Sequence, residues 1–246
     1  MYFEKIEQFG NFEMGYISDF SGGYISRNRN LFEKLQLSKL TQFILEKSVF
    51  GTPIFKLGDG GNKILVLSGI HGNELSPQIA NVNLLNELVF KEFNHTLYFI
   101  PFASPKSTMN NERTFNSMDL NRSAHIKDSL SNLIIQAIVD LEIDFVGDFH
   151  STAYNSNPGF ESIFSSKSPT PESFLIANYI ARDVGSEMIS IDYAGSSYKG
   201  AVEDVCNLKR IPAITGEVLC PFGNVARGSV EKSFSQMESF LSYFGI

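Results

Sequence analysis

From residue 63 onward, apolar runs of strand length alternate with stretches of helix length, an order that few architectures accommodate. KILVLSGI (63–70) is a continuous apolar run, as a strand buried on both faces requires. ELSPQIANVNLLNELVF (74–90) follows with Leu75, Ile79, Val82, Leu85 and Val89 at helical spacing, and Pro77 is tolerated in the first turn. The alternation continues with TLYFIPF as strand, DSLSNLIIQAIVDLE as helix, FVGDFH as strand, PESFLIANYIARDVG as helix and EMISID as strand. It closes with GAVEDVCNLKR as helix, IPAITGEV as strand and SVEKSFSQMESFLSYF as helix. These βαβ units predict an α/β fold: a mainly parallel mixed β-sheet flanked by helices on both faces. Before residue 51 the pattern is weaker and predicts one helix over 32–47, followed by a strand and turn over 51–61. No repeat or linker divides the chain, so residues 1–246 are expected to form a single domain.

Charge excludes one class of partner. At a net charge of −7 and a pI of about 5.2, the chain repels phosphate backbones and offers no footprint for nucleic acid. An anionic substrate must therefore be caught by local arginines. The opening MYFEKIEQFG has neither the basic start nor the apolar run of a signal peptide, and no stretch approaches the roughly 18 apolar residues of a membrane span. A cytoplasmic protein without a membrane partner is expected, with Cys206 and Cys220 as free thiols.

In open α/β sheets ligands collect beyond the carboxyl ends of the strands, and here those ends are unusually polar. KILVLSGI runs into His71-Gly72-Asn73-Glu74, TLYFIPF leads to Asp119-Leu120-Asn121-Arg122, FVGDF delivers His150, and IPAITG delivers Glu217. Zinc takes imidazole nitrogen and carboxylate oxygen, with three protein ligands and one open position at a catalytic site. His71 and Glu74 share one tight strand-to-helix turn, where a spacing of three lets both side chains face one centre, and His150 can supply a third ligand. Asp119 and Asp148 read as partners that orient the histidines. His95, in the turn EFNHT, and His125, after DLNR, read as structural or surface residues.

GIHGNE (69–74), IPFASPKSTMNNERTFNSMDLNR (100–122), DFHST (148–152) and IPAITGEV (211–218) together resemble the M14 family of zinc carboxypeptidases. The resemblance extends to its short bacterial murein-peptide amidase branch and to its aspartoacylase and succinylglutamate desuccinylase relatives. It implies zinc held by His71, Glu74 and His150, with Glu217 as general base. It also implies that Arg113 polarises the scissile carbonyl and that Asn121 and Arg122 clamp a substrate carboxylate. A planar guanidinium suits both arginine tasks, since it binds carboxylate bidentately and stabilises a developing oxyanion. Carboxypeptidase members add a tyrosine from a mobile loop; Tyr193 and Tyr198 are both available here, and Tyr198 is taken as the candidate substrate-binding residue.

The stretch after Glu217 suffices for one closing helix but not for the C-terminal β domain of aspartoacylase-like members, so a metallocarboxypeptidase or amidase acting on small cell-wall-type peptides is expected. An N-acyl amino acid deacylase is the alternative reading. A relative that binds carboxylate ligands without turnover would lack a metal ligand or the base, and this chain lacks neither.

Overall fold

The computed structural model describes residues 3–246. Its strands are β1 (Glu4–Lys5), β2 (Phe12–Ser18), β3 (Thr52–Leu57), β4 (Lys63–Ser68), β5 (Thr96–Ile100), β6 (Phe145–Thr152), β7 (Ser162–Ser166), β8 (Glu187–Ile191) and β9 (Ala213–Leu219). They form one nine-stranded sheet in the order β1-β2-β3-β5-β4-β6-β9-β7-β8. The helices are α1 (Arg29–Phe32), α2 (Lys39–Ser48), α3 (Leu75–Leu88), α4 (Pro105–Asn110), α5 (Leu130–Asp140), α6 (Pro171–Val184), α7 (Val202–Leu208) and α8 (Ser229–Ser242).

The centre of the sheet, β5-β4-β6-β9, is parallel throughout. Its residues explain the continuous apolar runs. Ile64 and Val66 of β4 join a core beneath α2, α3, α6 and α8, whereas Leu65 and Leu67 join a second core beneath α5 and α7. Because successive side chains point to opposite faces, a strand covered on both sides must be apolar at every position. Helices on both faces of a mixed sheet are thus what the alternation predicts.

The edges differ from the sequence reading. β1, β2 and β3 pair antiparallel, and β3 pairs antiparallel with β5, so part of the first 57 residues extends the sheet. Of the helix expected over 32–47 only the second half forms, as α2: α1 ends at Phe32, and Ser38 starts α2 by accepting the Thr41 amide at 2.9 Å. β7, which lies in a Ser-rich stretch without an apolar run, pairs antiparallel with β9: Ser162 faces Glu217 and Phe164 faces Thr215. No helix among the described residues is long and apolar enough to cross a membrane.

Candidate active site

His71 and Glu74 lie on the turn between β4 and α3, both almost fully buried. A side chain at Gly72 could not fit: a Cβ there would stand 2.2 Å from the Ser107 backbone, so glycine is what lets the turn pack on α4. Glu74 occupies the N-cap position of α3 without capping it, since its carboxylate is engaged elsewhere. Oε1 accepts from His71 Nδ1 at 2.7 Å and from Arg113 Nη1 at 3.2 Å; Oε2 accepts from His150 Nδ1 at 2.8 Å and from the Ser151 amide at 3.1 Å. Gln78, which sequence reasoning passed over, donates to the Glu74 carbonyl and accepts from Thr108, tying the turn to α4.

Potential ligand atoms of His71, Glu74 and His150 all lie within 4.8 Å of one another. Two imidazoles and one carboxylate suit zinc, and the dense polar surroundings fit a buried cation. A carboxylate also stands beside each far nitrogen. His71 Nε2 is 2.9 Å from Asp119 Oδ1, and His150 Nε2 lies 3.0 Å from Asp148 Oδ2 but without the alignment of a hydrogen bond. Burial alone would raise the Glu74 carboxyl, but the imidazoles of His71 and His150 hold it below the usual carboxylate range. Asp119 is likewise held low against its desolvation, by its hydrogen bond to His71 and the charge of Arg113.

Glu217 stands beside His150 in the β6–β9 register. Its Oε2 is buried and finds no hydrogen-bond partner among the described residues. Burial and the neighbouring Glu74 charge push its carboxyl up to about 8. A carboxyl with that affinity for a proton can both accept and return one near neutrality.

These groups open on a cavity of about 280 Å³, whose lining includes His71, Glu74, Arg113, Asn121, Arg122 and Glu217. Asn121 Oδ1 accepts from the Val202 amide at 3.3 Å, leaving its amide nitrogen to donate. Arg122 pairs with no carboxylate among the described residues and lies over the Tyr198 ring, 5.5 Å from its centroid. Tyr198 lines the cavity edge-on to Phe164, while Tyr193 is 68% exposed and lies outside the lining. His95 accepts the Asn62 amide and His125 is exposed, both away from the cluster. Cys206 and Cys220 are free and buried. A larger cleft of about 630 Å³ between α3 and α8 contains no histidine or cysteine.

Sequence reasoning missed part of the wall of the cavity. Phe164 and Thr215 belong to the unforeseen β7–β9 pairing, and Glu203, in the first turn of α7, looks in sequence like an ordinary solvent-facing helix carboxylate.

Comparison with known proteins adds to this geometry. The family model for the succinylglutamate desuccinylase/aspartoacylase catalytic domain matches residues 60–206, a span that carries His71, Glu74, Arg113, Asn121, Arg122 and His150 and ends before Glu217. No curated protein matches the chain. An aspartoacylase family protein from Mesorhizobium loti is 20% identical with a TM-score of 0.61, over 79% of this chain and 62% of that one. A metallo-carboxypeptidase from Burkholderia cenocepacia is 13% identical with a TM-score of 0.61, over 78% and 60%. The ectoine utilization protein EutE (DoeB) from Ruegeria pomeroyi is 15% identical with a TM-score of 0.61, over 82% and 64%. The chain spans about three fifths of the length of these structures, and at such identities the likeness shows the fold.

Proposed function

The chain belongs to the succinylglutamate desuccinylase/aspartoacylase catalytic-domain family, and from that premise we propose that it is a zinc-dependent hydrolase that cleaves the amide bond next to a free carboxylate of an acyl amino acid. The observation that carries this reading is the convergence of three candidate metal ligands with the unpaired Glu217 carboxyl and two arginines around one cavity. Family membership weights an acyl amino acid over a cell-wall peptide.

His71, Glu74 and His150 would hold the metal, which when bound supplies Lewis acidity for activating water and polarising the carbonyl. Asn121 Nδ2 and the Arg122 guanidinium receive the substrate carboxylate, with Tyr198 packed beneath the arginine. Arg113 donates to the carbonyl oxygen as negative charge develops there. Glu217 takes a proton from the attacking water while the carbon–oxygen bond forms, then returns it to the amide nitrogen as the carbon–nitrogen bond breaks. The products are a carboxylate and a free amine.

Metal analysis of purified protein, together with hydrolysis of an N-acyl amino acid panel before and after chelation, tests the reading. One transition metal per chain and chelator-sensitive turnover are expected. Active protein without a transition metal, or a metal-loaded protein inert toward every acyl amino acid and short peptide, would overturn it.

A further inference from the structure

Among the carboxylates that line the cavity, Glu203 is the one the proposed reaction does not use. It is 3% exposed. Its Oε1 accepts from the Ser166 amide and the Ser166 hydroxyl, each at 3.2 Å, and from Asn207 Nδ2 at 2.6 Å. All three donors are neutral and all serve Oε1. No hydrogen bond reaches Oε2 and no cationic side chain pairs with the group among the described residues. Burial, reinforced by the neighbouring Asp204, pushes the carboxyl up to about 8.

A glutamate in the first turn of a helix can complement the helix dipole from solvent, with no need of burial. Burying its charge is unfavourable unless a partner compensates. The surrounding fold positions Glu203 with care: Asn207 holds the same oxygen from the next turn of α7 and also donates to the Ala213 carbonyl of β9. The strand register shows where this lies. Glu217 faces Ser162 and Thr215 faces Phe164, so these side chains share a sheet face with Ser166. Ser166 is four residues along β7 from the Glu217 level, at most about 13 Å at 3.3 Å per residue. The cavity therefore runs from the general base past Thr215 and Phe164 towards Glu203. The adjoining Val202 amide holds Asn121, which puts Glu203 on the carboxylate-clamp side, where the leaving amino acid sits.

We propose that Glu203 is a specificity-determining anchor for a cationic side chain on the leaving amino acid, which makes the substrate an Nα-acyl diamino acid of the ornithine or lysine type. This rests on the hydrolase reading above. An ammonium brings three donors and a charge. Oε2 accepts one donor, and the hydroxyls of Thr215 and Tyr198, which line the same cavity and make no hydrogen bond among the described residues, can accept others. An acidic side chain would instead meet a second carboxyl.

The test compares charged with uncharged side chains. Binding of L-ornithine, L-lysine, L-norvaline, L-norleucine and L-glutamate to the metal-loaded protein is measured by calorimetry, and kcat/KM is measured on their Nα-acetyl derivatives. The charged members are expected to bind about 30-fold more tightly than the uncharged members, the lower range for breaking a buried charge pair. Glu203→Gln should bring that ratio to about 1, mainly by raising KM for the charged compounds. Equal binding of charged and uncharged members, a preference for glutamate, no binding of any, or a preference that survives Glu203→Gln would overturn the anchor. The wild-type series decides the matter even if the variant misfolds. Ammonium preference in binding without any turnover would count against the hydrolase reading alone; turnover without that preference would count against the anchor alone.

Discussion

Glu74 and Glu203 line the same cavity, are both about 3% exposed, and carry opposite tendencies. Glu74 accepts from two imidazoles, a guanidinium and a backbone amide, and its carboxyl is held below the usual range. Glu203 accepts only from a backbone amide, a hydroxyl and a side-chain amide, and its carboxyl rises to about 8. Burial and hydrogen-bond number are similar; the charge of the donors differs. Neutral donors offset part of the desolvation of a carboxylate, while cationic donors reverse it. One glutamate is thereby prepared to stay ionised at the candidate metal site, and the other, on the proposal above, to await a cation from outside.

The most severe test of this contrast is Glu74→Gln. It removes the charge that both histidines and Arg113 converge on, so metal content should fall to near zero and turnover to background, read by metal analysis and rate. Retained metal would remove Glu74 from the ligand set. Next is Glu217→Gln, which keeps shape but cannot take a proton; turnover should fall by about 10²–10⁴-fold with metal content unchanged. Wild-type rates in that variant would return Glu217 to a structural role.

Arg113→Ala should lower kcat by about 10²–10³-fold, the usual cost of losing an oxyanion donor, whereas Arg122→Ala should act chiefly on KM. Identical effects on KM alone would show that the two arginines have been given the wrong tasks.

The smallest expected effect sharpens the comparison directly. Glu203 keeps its proton in the folded protein up to about 8 but loses it near 4.5 when unfolded. Between those values the unfolded state binds fewer protons, so this group's contribution to stability falls as pH rises and levels off above about 8. Glu74 and Asp119 have the opposite sign: their contribution is present above the unfolded carboxylate range and is lost as pH falls below it. In urea titrations of metal-free protein, Glu203→Gln should flatten the decline by about 2 kcal/mol between pH 6 and pH 7.5. An unchanged slope would mean that Glu203 is ionised in the empty cavity.

Much of this molecule is legible along the chain. The run over residues 63–70 has to be a strand covered on both faces, and the helix after it follows from its spacing, because pleat and helical periods are local properties. The turn His71-Gly72-Asn73-Glu74 brings two candidate ligands together within four residues, and they lie 2.7 Å apart. By contrast, β2 and β7 have short or mixed patterns that become strands only because β3 and β9 offer edges to pair with.

The sequence by itself determined the α/β alternation, the paired candidate ligands on one turn and the net negative charge, since each is set by residues adjacent in the chain or by composition. The tertiary structure alone decided which carboxylates are buried and what meets them. Asp119 reaches His71 across 48 positions, and Ser166 reaches Glu203 across 37. Ionisation depends on the charges and dipoles within a few ångströms, and those come from segments whose separation in sequence carries no record of their contact.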